Sequence, residues 1–140
     1  MCIWTDWGFW IAILALGVSG YIAFLSNRTA KMQAYSFVTD TLQKEDIRQA
    51  RRTLFRLGEE NKKFETWSQL ETEEVEKACH TINTVCTLIE EKIIRKTFLK
   101  RSETQFKRIW NIVEPYVIER RKKENNPSLW QEFENFQKDK

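Results

Sequence analysis

The sequence has few of the residues from which catalytic and metal sites are most often built. It contains one histidine, His80, and three cysteines, Cys2, Cys79 and Cys86. One imidazole cannot supply a site that needs several histidines, and neighbours such as Cys79 and His80 diverge by about 100° on a helix, so they do not face each other. We therefore predict no catalytic residues, no metal site and no cofactor. Cys79 and Cys86 are predicted to be core residues in a reducing compartment.

Glycine and proline are also rare, with four glycines and two prolines in 140 residues. After residue 20 the only glycine is Gly58. No stretch shows the alternation of apolar and polar residues that is typical of strands. The predicted fold class is therefore all-α, with one N-terminal transmembrane helix followed by a cytoplasmic bundle of about four helices.

The longest apolar run covers residues 7–25, WGFWIAILALGVSGYIAFL, and has no charged side chain. As a helix it would extend about 28 Å, close to the thickness of the hydrocarbon core of a bilayer. A cleaved signal peptide is the less favoured alternative, because the flank carries Asp6 and the run ends without a small-x-small cleavage site. A buried core helix is disfavoured by the length of the run and by Trp4, Trp7 and Trp10, which are typical of an aromatic belt at the outer membrane surface.

The basic residues all lie on one side of this run. None precedes Arg28, and all 23 lysines and arginines follow residue 27. By the positive-inside rule, the N-terminus lies outside and the C-terminal domain lies in the cytoplasm. We divide the chain into an N-terminal tail with the transmembrane helix, a juxtamembrane segment and a cytoplasmic helical domain, at residues 1–27, 28–40 and 41–140.

Small residues recur along one side of the span. At 100° per residue they stay within a stripe about 80° wide, and the members of this stripe are Gly8, Ala12, Ala15, Ser19 and Ala23. Small residues let helix backbones approach closely in lipid, so the stripe predicts packing between spans and a homo-oligomer, whose centre would be a pore. The alternative is that glycine and alanine are simply common in transmembrane helices.

The remainder of the chain begins with two amphipathic helical patterns. The first is predicted to end at Gly58, as the residue that follows the C-cap. The second is predicted to begin with Thr72 as its N-cap and to run for about 25 residues. Their predicted apolar faces are Ile47, Ala50, Leu54 and Leu57 in the first helix and Val75, Cys79, Ile82, Cys86, Ile89 and Ile93 in the second.

Two further helical patterns follow. The third helix is predicted to start at a capping box formed by Ser102 and Gln105, with a kink or a break at Pro115. A short fourth helix would have Asn126 as its N-cap and Pro127 as its first residue. The residues that we expect to face inward from it are Leu129, Trp130, Phe133 and Phe136.

Four arginines share much of one face of the first soluble helix, at Arg48, Arg51, Arg52 and Arg56. The guanidinium group binds phosphate with two parallel hydrogen bonds, so these residues are candidate contacts to a phosphate or a partner. Acidic residues lie among them, which favours a solvated and internally paired face as the alternative. The same acids make RNA a weaker candidate than lipid or another subunit.

Six short motifs are spread over the soluble part of the chain, and they are Ala50-Arg51-Arg52, Leu54-Phe55, Ile109-Trp110, Pro115-Tyr116, Arg120-Arg121 and Trp130-x-x-Phe133. Preceded by one span, they resemble a family of small single-pass bacterial membrane proteins with a helical cytoplasmic domain. The architecture is similar to that of the membrane accessory protein of type VI-B CRISPR systems. This resemblance implies a bacterial inner-membrane location, a HEPN-like domain, a ring with a membrane pore, and a role beside a cytoplasmic CRISPR effector in RNA-targeting antiphage defence.

The sequence departs from the HEPN ribonuclease motif, in which four to six residues separate an arginine from a histidine. The corresponding positions before His80 are Glu73, Glu74 and Val75. We therefore predict that the protein is not an enzyme. Two functions remain as alternatives: a homo-oligomeric membrane protein that forms a pore, or a membrane-tethered scaffold that binds a cytoplasmic protein or RNA.

Overall fold

The computed structural model describes the backbone of residues 4–138 and the side chains of residues 7–138, and this part of the chain contains helices and no strand. The helices are α1 Trp4–Gln43, α2 Glu45–Glu59, α3 Gln69–Glu90, α4 Lys100–Glu124 and α5 Gln131–Lys138. Short 3₁₀ turns at Phe64–Thr66 and Lys96–Leu99 precede α3 and α4. The all-α fold class is confirmed, while Cys2 and the side chains of Trp4 and Asp6 lie outside the described residues.

Helix α1 is a single helix of 40 residues, which includes the predicted span and the predicted juxtamembrane segment. It is long and apolar enough to cross a membrane. Residues 7–33 are exposed throughout, whereas Val38 is fully buried and Leu42 nearly so. The last turns of α1 therefore belong to the core of the domain, and the helix passes residue 40 without a break.

The core lies between α2, α3, α4 and α5, and the end of α1 closes it. The predicted apolar faces are buried, with Ile47, Ala50, Leu54 and Leu57 on α2 and Val75, Cys79, Ile82 and Cys86 on α3. Ile89 and Ile93 are partly buried against them. Burial raises the pKa of both thiols, to about 12 for Cys86, so both cysteines are protonated core residues at neutral pH.

Helix α3 begins one turn earlier than predicted. Ser68 is its N-cap, because the Ser68 hydroxyl accepts a hydrogen bond from the Glu71 backbone N–H at 3.2 Å and the Glu71 carboxylate accepts one from the Ser68 N–H at 2.8 Å. The prediction of Thr72 was wrong, since Thr72 lies inside the helix and donates to the Ser68 carbonyl. The helix ends at Glu90 and has 22 residues instead of about 25.

The predicted start of α4 was also wrong. The helix begins at Lys100 directly after the Lys96–Leu99 turn, and Leu99 precedes it without a side-chain cap. Ser102 and Gln105 therefore lie inside the helix. The 3₁₀ turn leads straight into α4 and takes the place of a capping box.

Proline does not break α4, contrary to one of the two outcomes that we predicted. The helix runs through Pro115 to Glu124. Pro115 lacks the N–H that would bond the carbonyl of Asn111, but both residues are exposed, so water can satisfy that carbonyl. Beyond the proline, the burial of Tyr116 and Val117 holds the helix against the core.

Helix α5 begins at Gln131, so the predicted start at Asn126 and Pro127 was wrong. Trp130 precedes the helix with a φ of 54°, a left-handed conformation that large side chains rarely adopt. Its side chain is 4 % exposed, and this burial holds the backbone there. The inward-facing residues were predicted correctly, because Trp130, Phe133 and Phe136 are buried and Leu129 packs against them.

Gly58 lies within α2 and not beyond its end, which corrects our prediction. The helix continues to Glu59, and Asn61 takes the positive φ, at 47°. A Cβ atom on Gly58 would lie 2.5 Å from Cδ1 and 2.8 Å from Cγ1 of Ile112. The Ile112 side chain of α4 therefore approaches the backbone of α2 closely at this point, and it must shift if residue 58 carries a Cβ atom.

We predict that Gly58→Ala lowers the free energy of unfolding by about 1 kcal/mol, because overpacking against Ile112 costs more than alanine gains in helix propensity. On an Ile112→Ala background the same substitution should be neutral or stabilising, since the crowding atoms are gone. The four proteins are the wild type, the two single variants and the double variant. Their thermal unfolding in one detergent, followed by circular dichroism, measures this double-mutant cycle. An equal loss on both backgrounds would contradict the close approach.

Candidate functional site

The first candidate site is the apolar half of α1. All members of the small-residue stripe, Gly8, Ala12, Ala15, Ser19 and Ala23, are exposed. A Cβ atom on Gly8 would meet no atom within 4 Å. Large apolar side chains cover the opposite side of the helix, where Trp10, Leu14 and Tyr21 are exposed as well. The stripe thus offers the kind of smooth face on which helices pack closely in lipid.

The arginines of α2 form the second candidate, and the structure gives each of them an internal partner. Arg48 and Arg52 contact the two carboxylate oxygens of Glu45 at 3.3 Å and 3.4 Å. Arg51 donates to the backbone carbonyl of Leu42 at 2.8 Å and so satisfies one of the last carbonyls of α1. Burial, and then the neighbouring charge of Arg48, lower the pKa of Arg51.

Arg56 reaches across to α3. Its Nη2 lies 3.0 Å from Glu71 Oε1, and Lys62 Nζ lies 2.7 Å from Glu71 Oε2. The hydrogen bond from Lys62, followed by the one from the Ser68 N–H, lowers the pKa of Glu71 to about 2. These contacts favour the alternative of an internally paired arginine face, because each guanidinium already has an acceptor within the domain.

A polar cluster that we did not predict lies where α3 and α4 face each other. Tyr116 donates to Glu76 Oε1 at 2.5 Å, and Arg120 Nη2 lies 3.2 Å from the same oxygen. Arg120 Nε also lies 2.6 Å from Glu124. Burial, and then the hydrogen bond to Glu76, raise the pKa of Tyr116, so its hydroxyl stays a donor. Two four-residue spacings in the sequence could have indicated this cluster. They are Glu76 to His80 and Tyr116 to Arg120, and each puts two side chains on one helix face.

His80 lies one turn after Glu76, and it is exposed. Its ring packs edge-on against Trp130, with 5.8 Å between ring centres. Arg120 directs its guanidinium at two carboxylates, so the cluster works as a clamp between α3 and α4 and does not present an arginine to a phosphate beside His80. Over residues 7–138, no three His, Cys, Asp or Glu side chains are grouped as a metal ion requires.

Residues 5–139 match the model of a family described as domain of unknown function DUF4760. The chain belongs to this family. No curated protein and no solved structure matches it. Because the match begins before the apolar half of α1 and extends past the end of α5, it covers the membrane-spanning candidate and the helical domain together.

An open cleft of about 440 Å³ lies between the end of α2, the Phe64–Thr66 turn and α4 of this DUF4760 protein. Phe64, Trp67, Ile112 and Pro115 contribute its apolar wall. No histidine, cysteine or aspartate lines it. Its polar rim includes Lys62, Lys63 and Glu65. The cleft therefore combines an apolar wall with charged groups at its edge.

Acid should weaken the joint between α2 and α3. The pKa of Glu71 is about 2 in the folded protein, below the usual value of 4.5, so its contribution to stability is present above about pH 4.5 and is lost as the pH falls toward 2. We predict that Glu71→Gln lowers the melting temperature at neutral pH and that its difference from the wild type shrinks toward pH 2. Thermal unfolding over a pH series measures this difference.

The control for that series is Glu73→Gln, on an exposed position of the same helix. Its melting temperature should follow that of the wild type. A deficit of Glu71→Gln that stays constant down to pH 2 would contradict the role given to the Glu71 carboxylate.

Proposed function

We propose that this DUF4760 protein is a single-pass protein of the bacterial inner membrane that works as a homo-oligomer, with the spans meeting along the small-residue stripe. The observation that carries the proposal is the division of α1 into an exposed half, residues 7–33, and an end whose Val38 and Leu42 are buried in the core. An exposed apolar helix of this length is unfavourable in water and favourable in lipid. The same helix therefore anchors the domain and carries it.

The domain lies on the cytoplasmic side in this proposal. The first basic residues after the apolar run are Arg28 and Lys31, and the rest of the basic residues follow them. Segments rich in lysine and arginine stay on the cytoplasmic side when a protein is inserted, and this rule puts the C-terminal domain in the cytoplasm. Trp7 and Trp10 are exposed at the other end of the span, where indole rings suit the membrane surface.

Self-association follows from the stripe and from the number of spans. The described chain offers one helix that can cross a membrane, so a helix that packs on the stripe belongs to another subunit or to a partner. A second copy fits, because two identical faces of small residues allow close contact of the backbones. Ser19 adds a hydroxyl, which can bond across the interface or face the lumen of a ring of spans.

The proposed role of such a ring is a membrane pore that acts beside an RNA-targeting defence effector. The support for this role is the arrangement of one span followed by a helical domain, which resembles that of the membrane accessory protein of type VI-B CRISPR systems. Helix α1 supports it mechanically, because a domain that is rigidly joined to its span can turn a cytoplasmic signal into a change in how the spans cross. The rival role is a monomeric tethered scaffold. If it bound its partner through the α2 arginines, the partner would compete with their internal contacts.

The test is the oligomeric state of the full chain in nanodiscs, measured by native mass spectrometry. We predict an oligomer for the wild type and for Gly17→Leu, and a loss of oligomer for Ala15→Leu combined with Ser19→Leu. Leucine on the stripe separates the packed backbones, whereas Gly17 lies on the opposite side of α1, facing open space.

A strictly monomeric wild type would overturn the proposal and favour the tethered scaffold. Equal dissociation by the stripe variant and by Gly17→Leu would show that the stripe is not the contact face.

A further inference from the structure

The connection between α3 and α4 carries positive charge that the domain does not neutralise. Residues 92–101, KIIRKTFLKR, here called the basic segment, contain five basic residues and no acidic one. Lys96 is engaged, and it lies over the ring of Phe136. The other four, Lys92, Arg95, Lys100 and Arg101, are exposed, and their side chains have no hydrogen-bond or ion-pair partner in the described structure.

This arrangement contrasts with the arginine face of α2, where every arginine has an internal acceptor. Lys100 and Arg101 also stand in the first turn of α4, where the helix dipole makes positive charge unfavourable. Interactions inside the domain therefore do not account for the charge of the basic segment.

Tyr35 fixes the basic segment beside α1. The Arg95 backbone N–H donates to the Tyr35 hydroxyl at 3.2 Å, and the ring of Phe98 packs edge-on against the ring of Tyr35 with 4.8 Å between centres. Side chains of a helix lean toward its N-terminus, which for Tyr35 is the direction of the span. The contact therefore holds the basic segment on the membrane side of the domain.

The distance to the bilayer is short enough for electrostatic attraction to act on the basic segment. Tyr35 follows Leu25, the last residue of the apolar run, by ten residues, or about 15 Å along α1. The headgroup layer occupies about 5 to 7 Å of this distance. The remaining gap is about one Debye length at physiological ionic strength, and long lysine and arginine side chains reduce it further.

We propose that the basic segment is a docking surface for the headgroups of anionic phospholipids in the leaflet next to the domain. Lys92, Arg95, Lys100 and Arg101 bind the phosphates, and Phe98, whose side chain is 42 % exposed, enters the interface beside them. The inference rests on the proposed function in one respect, that α1 spans the membrane, and it does not depend on self-association. Two contacts with the bilayer, the span and the basic segment, then fix the tilt of the domain.

The experiment uses the full chain in nanodiscs of phosphatidylcholine alone and of an equimolar mixture with phosphatidylglycerol. An NBD fluorophore on Thr97→Cys, in a Cys2→Ser background, reports the position of the basic segment, because Cys79 and Cys86 are buried and escape labelling. Lipids with a spin label on the headgroup quench the fluorophore by contact. We predict several-fold stronger quenching in the anionic nanodiscs.

A matched pair of variants tests which charges are responsible. Lys100→Glu with Arg101→Glu should reduce quenching to the level in neutral lipid. Lys122→Glu with Lys123→Glu removes two basic residues at the other end of the same helix, about 33 Å away, and should leave quenching unchanged.

Equal quenching in both lipids, or an equal effect of the two variants, overturns the docking surface. A separate experiment shows whether the chain is inserted. The protein is reconstituted into vesicles of the same lipids, the vesicles are washed at alkaline pH, and the protein that stays with the membrane is measured. An inserted and oligomeric protein without lipid-dependent quenching refutes this inference alone, whereas a protein that does not insert refutes the proposed function and the inference together.

Discussion

The continuity of α1 is the constraint on which the rest of the structure depends. One helix has an apolar half that is exposed along its whole length and an end whose Val38 and Leu42 lie in the core. No glycine or proline occurs between Gly20 and Gly58, so the exposed stretch between the apolar run and the domain has none of the residues at which helices usually bend. A tilt or rotation of the span must therefore move the domain, and a force on the domain must reach the span.

Contacts on two sides secure the end of α1. Arg51 of α2 donates a hydrogen bond to the Leu42 carbonyl, and the Tyr35 hydroxyl, nearer to the apolar run, accepts one from the Arg95 N–H. Among the α2 arginines, Arg51 thus serves the joint between α1 and the domain. Arg56 joins α2 to α3, and Arg48 and Arg52 pair with Glu45 of their own helix. By contrast, Lys92, Arg95, Lys100 and Arg101 of the basic segment, close to the end of α1, have no side-chain partner in the described structure.

The buried faces could be predicted from the sequence, because a period of 3.6 residues places Ile47, Ala50 and Leu54, or Val75, Cys79 and Ile82, on one side of a helix.

The ends of the helices were harder to predict than their buried faces, although Ser68 and Glu71 have the spacing of a capping box. Tertiary contacts decide the remaining cases. Ile112 packs closely against the backbone at Gly58, inside α2, and the core holds Trp130 in a left-handed conformation. The stripe on α1 is visible in the sequence. The cluster of Glu76 and Tyr116 could not be predicted from residue spacing alone, because it depends on the register of α3 against α4. The position of Arg95 depends on a contact with Tyr35, which lies 60 residues away in the sequence.

A nitroxide scan of residues 20–40 in bilayers tests the continuity of α1 most directly, with accessibility to oxygen and to a water-soluble relaxation agent measured at each position. The account predicts one uninterrupted helical period of about 3.6 residues, a change from lipid to water exposure between Leu25 and Lys31, and loss of both accessibilities at Val38, where the side chain is fully buried. A break in the period or a highly mobile stretch between residues 26 and 33 would contradict it, because the span and the domain would then be separate bodies joined by a linker.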